Sequence, residues 1–185
     1  MSDDAELVQR IRDGATDEFA ELVRRHQSQV RSIVGRYERD VHLCDDLVQD
    51  TFLKAWRALA SFDGRAPFAH WLSRIAVRVA LDHLRRRKAR ASEVGVDDLG
   101  EDALDWLHTG ETEPPPGLAR EVLDVALRDL SPAEQVVITL QEIEGRSVRE
   151  ISALTGSSSV AVRVRALRAR AKLRRALERL ERQNP

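Results

Sequence analysis

An all-α fold of two small helical domains joined by an acidic flexible linker is what this 185-residue sequence predicts. Three observations carry the prediction. Apolar residues recur at helical spacing through the first 91 positions. A stretch crowded with glycine, proline and carboxylates interrupts the middle. Near the end, Val148 to Thr155 is followed by Gly156-Ser157-Ser158-Ser159 and a long arginine-laden run, the pattern of a helix-turn-helix. Gly156 stands where a helix ends in a left-handed residue, and the serines after it carry side-chain oxygens that can cap the next helix.

The first helical stretch has Leu7 and Ile11, then Phe19, Leu22, Val23, Val30, Ile33 and Val34 at helical intervals, with Asp17 as a cap. A second helix, near Leu43 to Leu59, turns Leu47, Val48, Thr51, Phe52, Ala55 and Leu59 inward. Asp45, Asp46, Gln49 and Asp50 face outward. Two readings of those polar residues stand. They are carboxylates of a first helical turn facing the dipole, or, next to Phe52 and Trp56, they form a docking patch.

The run from Phe62 to Leu72 is a turn that opens into an aromatic-headed helix, continuing through Arg74, Arg78, Asp82 and His83 to Arg85-Arg86-Arg87-Lys88. Phe68, Leu72, Ile75 and Val79 share its inner face, while Arg74, Arg78, Arg85 and Lys88 gather into one ridge. Aromatics heading a basic ridge suit unpaired DNA, which needs stacking platforms for bases and cations for its backbone. Phe68 falls in the core stripe; His70 and Trp71 are open between core and platform.

Residues Ala91 to Gly117 hold four glycines and three consecutive prolines amid carboxylates, and only Asp102 to His108 has the makings of a helical turn. Ser92 to Glu121 contains nine acidic residues and one basic one. The segment is read either as a solvated spacer or as an anionic mimic of nucleic acid in a positively lined channel. The sequence thus divides into domain 1–91, linker 92–120 and domain 121–185.

In the last helix, from Val160 to Arg182, Val162, Ala166, Ala169, Leu173, Ala176 or Leu177, and Leu180 make the buried stripe. Opposite lie Val164, Leu167, Arg168, Ala171 and Arg175, flanked by Arg163, Arg170 and Arg174 on one side and Arg165 and Lys172 on the other. Small apolar residues ringed by guanidiniums suit a major groove, where aliphatics touch thymine methyls and arginines take guanine edges or phosphates. A solvated basic helix is the plainer reading; the capped turn directly before it favours DNA.

Composition removes other classes. The net charge of −1 conceals a polarised chain, because Gly145 to Pro185 carries 11 basic and 3 acidic residues. No signal peptide or membrane-length apolar run is read, which predicts a cytoplasmic protein without membrane insertion. The single Cys44 has no partner spacing for a metal or a disulfide. No triad, metal or phosphate-loop spacing is found, so neither enzymatic activity nor a cofactor is expected.

The runs Asp45 to Trp56, Phe62-Asp63-Gly64-Arg65 through Trp71 to Ala76, and Ala80 to Arg86 together resemble region two of bacterial sigma factors of the extracytoplasmic-function group. Leu130-Ser131-Pro132-Ala133-Glu134 through Leu173 resembles their region four. The resemblance implies a promoter-specificity subunit that binds core RNA polymerase, recognises minus-35 and minus-10 elements and supports DNA melting. It places Asp45, Asp46, Gln49, Asp50 and Trp56 against the beta-prime clamp helices. Asp63, Arg65, His70, Trp71, Arg74, Arg78, Arg85 and Lys88 fall on minus-10 DNA, with the loop from Asp63 to Phe68 receiving a flipped base. Ser159, Arg163, Val164, Leu167, Arg168, Arg170 and Lys172 fall on the minus-35 element, and region four contacts the beta flap. An anti-sigma factor is a further implied partner.

This sequence departs from its relatives' pattern at Arg78, where many have asparagine, at Val160-Ala161, where Gly-Thr is frequent, and at Val164, where serine is common. Promoter sequence is therefore not transferable. The rival from another class is a free-standing helix-turn-helix regulator with an N-terminal sensing domain, which would bind duplex DNA without polymerase.

Overall fold

The structure, a computed structural model, describes residues 3–91 and 126–182. The acidic linker, its expected helical turn at Asp102 to His108 and the side chain of Leu180 lie outside the described residues. Among those described, every regular element is helical. The chain divides into two compact units, Met1–Leu84 with Ala153–Gly156, and Arg85–Ser152 with Ser157–Pro185.

Four helices build the N-terminal part: α1 (Asp3–Arg12), α2 (Phe19–Val34), α3 (Val41–Ala58) and α4 (Phe68–Ala91). Leu7, Val8 and Ile11 of α1 are buried with Leu22, Val30 and Val34 of α2. Charges fasten α1 further: Asp4 meets His26 of α2 at 3.0 Å, and Asp3 pairs with Arg25. Phe52 and Ala55 of α3 and Phe68, Leu72, Val79 and Ala80 of α4 complete the buried set.

Two sequence expectations change at helix starts. Asp17 is no cap; it sits inside a tight turn, Thr16–Glu18, and α2 begins without a side-chain cap. Asp40 caps α3 instead, its carboxylate accepting the N–H groups of His42 and Leu43 at 2.9 and 3.0 Å. Because α3 starts at Val41, Asp45 and Asp46 fall beyond its first turn. The dipole explanation for them weakens accordingly, since that field fades within one turn. Ahead of the cap, the Glu38 carboxylate accepts the backbone N–H groups of Arg39 and Asp40 and meets His83 Nε2 of α4 at 2.7 Å.

The C-terminal part contains α5 (Pro132–Ile138), a wide π turn (Thr139–Ile143), α6 (Val148–Thr155) and α7 (Ser159–Arg182). Leu130, Ile138 and Ala169 form a core cluster, with Leu127 and Leu173 packed against it. A reciprocal capping box opens α5: the Ser131 hydroxyl accepts the Glu134 N–H while the Glu134 carboxylate accepts the Ser131 N–H, with Pro132 fixing the first turn. Ser147 and Glu150 repeat the arrangement at α6. The turn into α7 follows the sequence reading, with Gly156 at φ +69° and Ser158 as the cap, its hydroxyl accepting the Ala161 N–H at 3.2 Å.

Candidate functional site

On α3, alternation of the helical wheel leaves Leu53 and Trp56 in water, at 46% and 40% exposure, although both are large and apolar. The Trp56 ring rests edge-on against Phe19 of α2, with centroids 4.9 Å apart. Between the two helices lies an open groove of about 480 Å³ whose lining includes Phe19, Val23, Phe52 and Trp56 together with Gln49 and Asp45. Of the polar residues expected to dock, Asp45, Asp46 and Gln49 are exposed and Asp50 is half-buried. Asp45 pairs with Arg31 across the groove, and Asp50 lies 3.9 Å from Lys54. The α2 side of this groove, Phe19, Val23 and Arg31, was not singled out from sequence as a site. A wheel assigns Phe19 and Val23 to the core and cannot show that the neighbouring helix leaves them half covered, nor that Arg31 reaches across to Asp45.

The loop after α3 projects Asp63 and Arg65 into solvent, and Gly64 at φ +70° makes its bend. The Asp63 carboxylate accepts the Arg65 N–H at 3.1 Å, holding the turn locally. Three rings support the loop from beneath: Phe62 meets Phe68 at 5.5 Å and Trp71 at 5.6 Å, and Phe68 meets Trp71 at 5.4 Å. Phe62 and Phe68 are buried, so they are core. Trp71 is half-buried, its ring seated on the other two, whereas His70 is exposed. Arg74, Arg78, Arg85 and Lys88 of α4 are each exposed, and the Lys88 ammonium donates to the Leu130 carbonyl at 2.8 Å.

On α7 the predicted stripe is buried at Val162, Ala166, Ala169 and Ala176, and Ala176 rather than Leu177 takes the alternative inner position. The outward face carries Leu167 at 69% and Val164 at 39% exposure, between exposed Arg163 and Arg168, with Ser159 exposed at the helix start. Two flanking cations are already engaged. Arg170 makes two contacts with Glu142, at 2.6 and 3.1 Å, and Lys172 reaches the buried Glu134 carboxylate at 2.7 Å. Burial pushes the Glu134 carboxyl upward, but the Lys172 bond, the two Ser131 bonds and the nearby ammonium charge bring it below its ordinary 4.5. Arg165 is turned back onto the Ser157 hydroxyl at 2.6 Å, which fixes the turn before the helix.

Cys44 is buried, and its burial raises the thiol pKa. Among the described residues, no three His, Cys, Asp or Glu side chains are grouped to hold a metal ion, and no helix is long and apolar enough to cross a membrane.

Comparison with known proteins gives matches to both halves. Residues 22–90 match the model for sigma-70 region 2, and residues 120–173 match that for sigma-70 region 4. RNA polymerase sigma factor CarQ of Myxococcus xanthus is 36% identical over 174 residues, covering 94% of this chain and 97% of the relative. The ECF RNA polymerase sigma-E factor of Escherichia coli K12 is 34% identical over 173 residues, covering 90% of each. Among solved structures, CnrH in complex with the cytosolic domain of CnrY aligns with TM-score 0.58 at 32% identity, over 93% of this chain and 95% of that one. The sigma factor RpoE of Bartonella quintana, in complex with the anti-sigma factor NepR, shares the fold at TM-score 0.56 and 22% identity, over 87% of this chain and 97% of that one.

Proposed function

The chain belongs to the extracytoplasmic-function group of the sigma-70 family, a sigma subunit for transcription initiation, and from that premise we propose how its surfaces divide the work. The α2–α3 groove, with Trp56 in its lining and Asp45, Asp46, Gln49 and Asp50 around it, receives the beta-prime clamp helices of core polymerase. The loop from Asp63 to Phe68 receives an unpaired base of the minus-10 element. His70, Trp71 and the ridge of Arg74, Arg78, Arg85 and Lys88 hold the nontemplate strand beside it by stacking and charge. In the C-terminal domain, Arg163, Val164, Leu167 and Arg168 read the minus-35 element. Ser159 and Arg174 hold phosphates there, with smaller shares from Arg170 and Lys172, and the domain also meets the beta flap.

The observation that carries this reading is the charge around the two exposed apolar faces. Trp56 and Leu53 share α3 with Asp45, Asp46 and Asp50, carboxylates that repel a polyanion and match a basic protein surface. Val164 and Leu167 stand among guanidiniums, which suit phosphates and base edges. The chain contributes specificity and no chemistry: phosphodiester synthesis stays with the polymerase. It works in the cytoplasm, and an anti-sigma factor is its expected regulator, as the complex of the Bartonella RpoE with the anti-sigma factor NepR illustrates for that protein.

A free-standing regulator with a sensing domain fits less well, because the domain that would do the sensing matches sigma-70 region 2. Transcription in vitro on a promoter library, with purified core polymerase, tests the proposal. Promoter-selective transcripts should require both the chain and core enzyme. Tight, sequence-selective duplex binding by the chain alone, with no gain on adding core, would overturn it.

A further inference from the structure

The end of α1 and the run-out of α3 meet at one side chain. Arg12, the last residue of α1, donates from Nη2 to two backbone carbonyls, those of Leu59 and Phe62, each at 2.5 Å. These carbonyls lie in the tight turn Leu59–Ser61 and just beyond it. There the Leu59 carbonyl also accepts the Phe62 N–H at 3.2 Å, the Phe62 carbonyl lies beyond the last turn, and the helix end carries partial negative charge. A guanidinium placed at such an end makes charge-assisted bonds, roughly twice as strong as neutral ones.

What Arg12 grips is the entry to the loop assigned above to the minus-10 base. Phe62 immediately precedes Asp63, Gly64 and Arg65. Its ring is buried against Phe68, so the side chain anchors one side of the peptide and Arg12 anchors the carbonyl. Beyond Phe62 the loop has the local bond between Asp63 and the Arg65 N–H, and Phe68, fully buried, fixes its exit at the head of α4. Arg12 is itself positioned, because Leu7, Val8 and Ile11 are buried and Asp3 and Asp4 bind Arg25 and His26. A connected path therefore runs from α1 through one guanidinium to the loop.

We propose that Arg12 is a positioning residue for minus-10 recognition. By holding the carbonyls of Leu59 and Phe62 it fixes the entry of the 63–67 loop in the geometry that accepts an unpaired base, without contacting DNA itself. This rests on the reading of that loop given above, and the test separates the two.

Holoenzymes carrying Arg12→Met, Arg12→Lys, or Asp63→Ala with Arg65→Ala are assembled and bound to a single-stranded pool randomised across the minus-10 element, and the retained sequences are counted. Arg12→Met should reduce base preference at one position by roughly tenfold, the scale of a lost hydrogen bond to a charged group. It should leave affinity for core polymerase unchanged and speed amide exchange over residues 61–66. Arg12→Lys, which keeps a cation for the same carbonyls, should recover most of the preference.

If Arg12→Met weakens all sequences alike, or keeps full preference while the Asp63 and Arg65 substitutions abolish it, Arg12 is not a positioning residue and the loop reading stands. If the loop substitutions leave preference intact, the loop reading fails and this proposal with it. Should Arg12→Met not fold, Arg12→Gln, with one amide donor, is read the same way. Failure of both to assemble makes Arg12 a stability residue and overturns the proposal.

Discussion

Helices α3 and α7 both leave large apolar side chains in water, in opposite electrostatic company. Leu53 and Trp56 project beside Asp45, Asp46 and Asp50, while the cations near them, Arg31 and Lys54, are paired with Asp45 and Asp50. Val164 and Leu167 project between Arg163 and Arg168, while the acids near that face, Glu142 and Glu134, are taken up by Arg170 and Lys172. On α7 the pairs leave Arg163 and Arg168 to act outward, whereas on α3 the pairs also take up Asp45 and Asp50, leaving the Asp46 carboxylate outward and exposed Arg57 beside Trp56. The lesson is that an exposed apolar helix face does not name its partner; the unpaired charge around it does. Carboxylates around an aromatic fit a protein, and guanidiniums around aliphatics fit the edges and phosphates of DNA.

The hardest blow to this comparison would fall on α3. Trp56→Ala should cost about 2–4 kcal/mol of core-polymerase affinity, or roughly 30-fold to 1,000-fold, because a half-exposed tryptophan lining a groove has the character of an interface anchor. Asp46→Lys with Asp50→Lys should also weaken retention on core enzyme, and more at low salt than at high salt. Both variants should fold, since Trp56 and Asp46 are exposed and Asp50 is only half-buried, at 3.9 Å from Lys54. Retention of either on core at moderate salt with wild-type strength would remove the docking assignment.

In each domain the removal of a shielded carboxylate is the next largest effect. Glu134→Ala deletes half of a capping box and the partner of Lys172, and should destabilise the C-terminal domain by about 1–3 kcal/mol. Glu38, which accepts two backbone N–H groups and meets His83, plays the corresponding part in the N-terminal domain. Burial raises its pKa, yet the N–H groups of Asp40 and Arg39 and the His83 contact lower it further, to below the ordinary 4.5. A folded pKa below the unfolded one means that the stabilisation is fully present above about pH 4.5 and disappears as pH falls through the depressed value. Urea melts between pH 3 and pH 6, roughly spanning that window, should therefore lose this component on acidification. Glu134→Gln and Glu38→Gln should flatten the acid dependence of their own domains. An undiminished pH slope in either variant would show that its carboxylate is not the linked group.

The smallest effects separate reading from gripping on α7. Arg168→Ala should cost about 1–3 kcal/mol and relax preference at one base pair, whereas Arg174→Ala should weaken all sequences alike and lower the salt slope by about one. Arg170→Ala and Lys172→Met should lower the slope by less than Arg174→Ala, because Glu142 and Glu134 already hold those cations. Holoenzyme binding to a randomised upstream element across a salt series measures all four. A full unit of slope from Lys172 would mean that it leaves Glu134 on binding DNA.

Much of this was legible in the sequence where periodicity or turn chemistry decides. The α7 stripe, the left-handed Gly156 and the α4 ridge follow from angles of about 100° per residue and from the backbone freedom of glycine. What was not legible depends on neighbours distant in sequence. Asp17 and Asp40 are both plausible caps, and only the path of the chain chooses Asp40. Lys172 and Arg174 look alike on a wheel, yet a carboxylate 38 residues away engages one of them. The Arg12 contact spans 47 and 50 residues and has no local pattern at all. The pairing of Trp56 with Phe19 likewise needs two helices side by side. Periodicity locates faces, and tertiary contacts decide which charges on them remain available.

The central claim, that unpaired charge around an exposed apolar face selects its partner, is tested most directly by cross-linking. A photoreactive residue is placed at Leu53 in one holoenzyme and at Leu167 in another, each is bound to promoter DNA, and the adducts are separated. Protein adducts with the polymerase are expected from position 53 and DNA adducts in the minus-35 region from position 167. DNA adducts from position 53, or polymerase adducts without DNA from position 167, would contradict it.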